Sequence, residues 1–533
     1  MRMGRRANLV LLLLGFLCWM PTRALPPVIR LTRLTPGASG AELDWTVSSP
    51  ALWTVLESRD GMDSGSWAPV PGWEQPSPLL TFLDTRPSST ARFYRVRGVP
   101  GPVDRGHLIR ATEVARMTRA EIQFFINLAG YPLVAERDVL FLRLVYETVD
   151  AQGLKTVASG ALALPQGPGG PFPVVSYQHG TSLEREDVPS RLNTEGFLGV
   201  AFATSGYVAV LPDYLGLGDS PGFPPFHHAD SEATSVVDML RAARSWCADN
   251  GVALKDRLFL TGYSQGGHAT LAALREMESR HPDEFKITAC AAGAGAYDLS
   301  GTTASDVLSG RALPNPYYFV YLLAAYRDVY DLPQYLGSPY DQTIPPLLDG
   351  THSGEALNAI LPADPTLTLA PGVRDEFATN PDHPFRVALR KNDLLDWTPR
   401  SPLRLYQCHA DRDVLPANAS VAQASFVSRG AAVELIDPSP NSDHIGCVEP
   451  TLLQIKRLVR CAAKLSTSPN REPTFATPRS CSSHGPGRRR RAGFRIDRRA
   501  LSPGRGRTFH PEHRHGHHPD SIPRSTRHGE VRF

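Results

Sequence analysis

The stretch Arg257-Leu258-Phe259-Leu260-Thr261-Gly262-Tyr263-Ser264-Gln265-Gly266-Gly267-His268 decides how this chain is read. A short apolar, β-prone run ends in Gly262-Tyr263-Ser264-Gln265-Gly266, and a helical pattern takes over near His268. A serine hydroxyl is a weak nucleophile at its free pKa. It becomes useful when a sharp strand-to-helix turn holds it toward a base with backbone donors alongside. Such a turn brings the chain back across itself, so the residues two before and two after the serine must be small. Gly262 and Gly266 meet that demand. With 44 glycines in the chain the bare pattern has little weight, and the strand–turn–helix context is what selects Ser264 as the candidate nucleophile.

Outward from this turn, strand and helix patterns alternate over residues 100–465, which predicts an α/β fold with a mostly parallel sheet. Val139–Val149 and Thr156–Leu164 read as an opening hairpin. Buried strands are expected at Val174–Tyr177, Val208–Pro212, Leu258–Thr261, Ile287–Ala292, Leu403–Gln407 and Val433–Ile436. Helices are expected at Glu232–Ala248, Ala269–Ser279 and Thr451–Ala463. Thr118 and Glu121 read as a capping box opening a helix whose apolar face carries Ile122, Phe125 and Ile126. Residues 299–401 break the rhythm with short helices, turns and aromatics, and read as an insertion.

At this point the chain resembles the α/β-hydrolase superfamily, whose catalytic residues follow the chain order nucleophile, acid, histidine. After the strand Leu403–Gln407, the run Cys408-His409-Ala410-Asp411-Arg412-Asp413-Val414-Leu415-Pro416 is similar to that family's H-G-x-x-D-x-x-V/I-P acid loop. Ala410 replaces the glycine, and the spacing to the proline is shorter by one residue. The resemblance implies Asp413 as the acid, with Asp411 as its rival. It implies His444, in the loop between the last strand and the last helix, as the base. The oxyanion donors it implies are the N–H of Gln265, next to the nucleophile, and that of Thr181 in Tyr177-Gln178-His179-Gly180-Thr181. His179 is expected to shape that loop and His268 to pack beside the site. The run Asp213–Ser220 resembles the family's D-x-x-G-x-G-x-S loop and carries no lysine that would suit a phosphate cradle. These phrases, with His444-Ile445-Gly446-Cys447, resemble the secretory-lipase branch and its bacterial esterase relatives. That branch carries a helical cap over the site, here residues 299–401. The resemblance implies hydrolysis of carboxylic esters with no metal or organic cofactor. An exopeptidase on the same fold and a non-catalytic binding protein are the competing readings.

The flanks read differently. Arg2, Arg5 and Arg6 precede the apolar run Leu9–Trp19, and Thr22-Arg23-Ala24 offers a small-x-small cleavage site, so residues 1–24 are expected to be an export signal. Residues 25–99 show short alternating runs and read as a small all-β sandwich resembling a fibronectin type III domain. Residues 466–533 hold 15 of the 56 basic residues and five of the 53 acids, with no apolar periodicity, and read as a disordered basic tail. The remainder is mildly acidic and gives no reason to expect a nucleic-acid partner, while the resemblance implies a small-molecule ester or lipid substrate with transient lipid-interface contact. Six cysteines follow the signal, in no zinc pattern. Export permits disulfides, and Cys447 with Cys461 is the first expectation.

Overall fold

The computed structural model describes residues 103–465 continuously and, before them, segments 29–37, 40–47, 52–60, 67–70, 81–84 and 92–100. The expected export signal and basic tail lie outside the described residues. The early segments form strands β1 (Ile29–Gly37), β2 (Gly40–Val47), β3 (Leu52–Asp60), β4 (Ala68–Pro69), β5 (Thr81–Asp84) and β6 (Arg92–Pro100). They pair antiparallel into two three-stranded sheets, β1-β2-β5 and β4-β3-β6.

The large sheet comprises β7 (Leu108–Met117), β8 (Val139–Val149), β9 (Lys155–Pro165), β10 (Phe172–Gln178), β11 (Val208–Pro212), β12 (Leu254–Tyr263), β13 (Ile287–Gly293), β14 (Leu403–Tyr406) and β15 (Val433–Ile436). Their order is β15-β14-β13-β12-β10-β11-β9-β8-β7. The six strands β10 to β15 run parallel, and the β7-β8-β9 meander closes one edge antiparallel. The chain runs from β10 outward to β11, then crosses back to β12 on the other side of β10. That reversal makes the carboxyl ends of β10 and β12 the switch point, where open α/β sheets bind ligands.

Helices cover both faces. They are α1 (Arg119–Leu128), α2 (Thr194–Ala203), α3 (Ala229–Asp249), α4 (Gln265–Arg280), α5 (Ala304–Leu308), α6 (Tyr317–Tyr330), α7 (Tyr340–Thr343), α8 (Gly354–Asn358), α9 (Val373–Thr379), α10 (Pro384–Lys391), α11 (Ala417–Ser428) and α12 (Val448–Leu465). Side chains alternate across a strand, so in β12 Leu258 and Leu260 join one core while Phe259 joins the other. The first core packs Val236, Leu240, Leu271 and Phe426 from α3, α4 and α11. The second packs Ile122, Val200, Ile455 and Val459 from α1, α2 and α12. Each such side chain stabilises the fold by roughly 1.5–3 kcal/mol, and a strand buried on both faces reads as an unbroken apolar run.

The capping box is present: Thr118 accepts from the Glu121 amide, and the Glu121 carboxylate accepts from the Thr118 amide. The expected apolar face of α1 needs one correction. Ile122 and Ile126 are buried, but Phe125 is 44% exposed, resting edge-on against Phe197. Helices α5 to α10 with their connecting turns make the insertion, which has its own core of Phe319, Tyr321, Tyr326, Phe377 and Phe385. No described helix is long and apolar enough to cross a membrane.

Candidate active site

Strand β12 ends at Tyr263 and α4 begins at Gln265, leaving Ser264 alone in the turn with φ +58° and ψ −122°. A residue other than glycine in the positive-φ region stores of order 1–3 kcal/mol of strain, which persists only where the surroundings enforce it. Here the close crossing of the chain enforces it. A Cβ on Gly266 would lie 1.9 Å from the Gln178 carbonyl oxygen, and one on Gly262 would lie 2.4 Å from that of Gly266. Both glycines are therefore steric requirements of the turn, as their positions in the sequence predicted.

His444 lies in the loop between β15 and α12 and is buried. Its Nε2 is 2.9 Å from Ser264 Oγ and its Nδ1 is 2.7 Å from Asp411 Oδ2. Tyr263, the residue before the serine, donates its hydroxyl to the His444 carbonyl at 2.7 Å and so ties the base loop to the turn. The expectation that Asp413 is the acid is corrected here. Asp411 Oδ1 accepts from the amides of Asp413 (2.9 Å) and Val414 (3.0 Å), forming an Asx turn. Its Oδ2 accepts from Gln407 Nε2 at 3.0 Å as well as facing the imidazole. That turn aims the carboxylate of Asp411 inward and throws Asp413 toward the insertion, where its Oδ1 accepts from Asn315 Nδ2 at 2.9 Å. Burial raises the Asp413 carboxyl above its ordinary pKa, and the Asn315 hydrogen bond opposes the shift. The pattern sets its acid four residues after the histidine, which is Asp413, whereas here the aspartate two residues after His409 is the one turned toward the imidazole.

The expected pairing of Cys447 with Cys461 is also corrected, since Cys447 is bonded to Cys408. Cys408 stands three residues before Asp411, and Cys447 three after His444. The bond thus staples the acid loop to the base loop. Two further cysteines, Cys247 in α3 and Cys290 in β13, are buried free thiols.

The end of β10 lies against the turn, where a Cβ on Gly180 would come within 4.0 Å of Ser264 Cβ. The Gly180 amide is already committed to Glu195, at 2.9 Å to Oε1. Thr181, the expected second donor, follows Gly180 directly in this loop. The Gln265 amide is the first of α4, so it has no acceptor within the helix and sits at the positive end of the helix dipole. His179 presents Nδ1 to the Gly180 carbonyl and Nε2 to the Asp213 carbonyl, and stacks on Tyr214, which suits a shaping role. The glycines of Asp213–Ser220 serve packing: a Cβ on Gly218 would meet Ser159 Oγ at 2.4 Å and Asp213 Oδ2 at 2.6 Å. Among the tyrosines of the insertion, Tyr321 lines a small cavity with Gln265, Tyr214, Leu217 and Phe226, while Tyr326 and Tyr335 are core residues of the insertion.

With that geometry established, known proteins can be compared. The secretory-lipase family model matches residues 189–312. The rice cell wall degrading esterase LipA from Xanthomonas oryzae is 30% identical, with a TM-score of 0.58, covering 67% of this chain and 97% of that one. The chain belongs to the α/β-hydrolase superfamily. A Legionella pneumophila protein assigned as a hydrolase matches this α/β-hydrolase at 28% identity and a TM-score of 0.64, over 68% of this chain and 99% of that one. Candida antarctica lipase A, at 17% identity and a TM-score of 0.50 over 68% of this α/β-hydrolase and 83% of that lipase, shares the fold. No curated protein matches the chain.

The sequence pattern missed a third layer of the site. Gln265 Nε2 donates to Glu232 Oε1 at 2.9 Å, and Glu232 Oε2 lies 2.6 Å from His268 Nδ1. His268 was expected to pack nearby, but nothing in the helical pattern of α3 singled out Glu232.

Proposed function

We propose that this α/β-hydrolase is a secreted serine hydrolase of carboxylic esters, acting through Ser264, His444 and Asp411. The observation that carries the reading is the unbroken line from Asp411 through His444 to Ser264 Oγ, 2.7 and 2.9 Å long, at a turn held in a positive-φ conformation. Asp411 accepts from Nδ1–H, which keeps the lone pair of Nε2 facing the hydroxyl. His444 takes the Ser264 proton as Oγ attacks the ester carbonyl, and the amides of Gln265 and Thr181 hold the resulting oxyanion. His444 then protonates the leaving alcohol. Water repeats the sequence and releases the acid.

The substrate class rests on the secretory-lipase match and on the esterase neighbours. Tyr321 of the insertion stands with apolar side chains beside Gln265, surroundings that suit an uncharged ester. We place the insertion as a cap over the Ser264 site and expect transient contact with a lipid interface. The division of β1 to β6 between two small sheets supports a fibronectin type III-like accessory module. Secretion rests on the family match and on the export-like first 24 residues.

The test is Ser264→Ala in the full chain, assayed with p-nitrophenyl butyrate and a fluorophosphonate probe. Loss of labelling and a fall in kcat of about 10⁶-fold are expected, because nucleophile and base act as a unit. Labelling that persists would remove Ser264 from the mechanism.

A further inference from the structure

Behind the turn, His227, Glu232 and His268 are buried together, with one potential ligand atom from each lying within 4.8 Å of the others. His268 Nε2 faces the carbonyl oxygen of Asn392 at 3.0 Å. A carbonyl only accepts, so Nε2 carries the hydrogen and Nδ1 presents its lone pair. That lone pair meets Glu232 Oε2 at 2.6 Å, where two electron-rich atoms require a cation between them, either a proton or a metal ion. Glu232 Oε1 meanwhile accepts from Gln265 Nε2.

The third member favours the metal. His227 is 8% exposed, and its Nδ1 is buried without a hydrogen-bond partner among the described residues. Leaving such a nitrogen unsatisfied costs about 1–3 kcal/mol. His227 is also held at φ +52°, an uncommon conformation for a residue other than glycine, with Tyr326 donating its hydroxyl to the His227 carbonyl at 3.0 Å. Its ring stands edge-on to that of His268, with centroids 4.8 Å apart. The outer contacts are those a metal site needs: the ligating imidazole donates its other N–H to a backbone carbonyl, and the second carboxylate oxygen is hydrogen-bonded.

We propose that His227 Nδ1, Glu232 Oε2 and His268 Nδ1 form a buried divalent-cation site of the zinc type beneath Gln265. Two imidazoles and one carboxylate suit zinc, with a small fourth ligand completing a tetrahedron. A cavity of about 10 Å³ bordering Glu232, Ser231 and Gln265 has room for about one water. Ligand atoms around one zinc lie about 3.4 Å apart. On binding, the 2.6 Å contact opens, His227 closes in, and the proton between Nδ1 and Oε2 leaves to solvent. Cysteine spacing pointed away from zinc because this site uses no cysteine, and its ligands lie on separate elements. The proposal concerns the support of the site and does not depend on Ser264 acting as nucleophile.

Full-length protein stripped with EDTA is titrated with Zn²⁺ by calorimetry, alongside His227→Asn. Asparagine tolerates positive φ and removes the imidazole. The His513, His515, His517 and His518 cluster is the same in both proteins, so any zinc it takes up cancels in the comparison. The wild type is expected to show one additional tight site, of submicromolar Kd, that His227→Asn weakens at least about 100-fold. Equal zinc binding by the two proteins would overturn the proposal. Should the variant fail to fold, anomalous scattering from zinc-soaked wild-type crystals decides: a peak among the three side chains supports the site, and its absence there refutes it.

Discussion

Asp411→Asn is the most discriminating perturbation of the proposed triad. Asp411 Oδ1 accepts from two backbone amides, and Oδ2 faces both His444 Nδ1 and Gln407 Nε2. An asparagine keeps its oxygen on the two amides, because turning it around would set its NH₂ against both. Its NH₂ then points at His444 Nδ1, which must accept. The imidazole switches tautomer, Nε2 gains the hydrogen, and it can no longer take the Ser264 proton. A wrong tautomer with intact geometry costs about 10⁴ in kcat, the magnitude reported for this change in the chymotrypsin-type triad. That corresponds to roughly 5.4 kcal/mol of transition-state stabilisation. Asp413→Asn keeps a partner in Asn315 and does not touch His444, so a change within about threefold is expected. The assay is kcat and KM with p-nitrophenyl butyrate, with circular dichroism confirming that each variant is folded. The reasoning is refuted if Asp411→Asn stays within tenfold of the wild type while Asp413→Asn loses a thousandfold or more.

Two further outcomes concern stability. Cys408 and Cys447 close a loop with a sequence separation of 39, so replacing both with serine is expected to cost about 4 kcal/mol, read as a lower denaturant midpoint. Because the bond joins the acid and base loops, kcat should fall while KM holds. Burial also pushes the Lys456 ammonium down to about 8, with its Nζ donating to the Ala201 carbonyl. Between that value and its unfolded pKa near about 10.4 the unfolded chain binds more protons, so this group's contribution makes stability rise with pH across the window. Lys456→Met is accordingly expected to raise Tm at pH 7, with the advantage shrinking as pH climbs through 8 to about 10. An advantage that stays constant with pH would rule out this origin.

Local patterns carried much of this fold. Continuous apolar runs marked the doubly buried strands, alternation marked the small N-terminal strands, and the Thr118–Glu121 box opened α1, because each depends on residues close together in the chain. The turn at Ser264 was legible from its local strand–turn–helix pattern and flanking glycines, although the Gln178 carbonyl that presses on Gly262 and Gly266 comes from a distant strand. Strand β7 and helix α2 were not recognised: β7 is an edge strand with mostly exposed side chains, and α2 is nearly all apolar and shows little amphipathic contrast.

Only the tertiary structure chose between Asp411 and Asp413, paired Cys408 with Cys447, and joined Glu232 to both Gln265 and His268. Each of these is a contact between segments separated by some 30 residues or more, and its outcome turns on where a carboxylate or thiol points. Residue type and spacing determine what a segment can form by itself. The direction of a side chain across the fold is set by the turn that carries it and by the partner it meets.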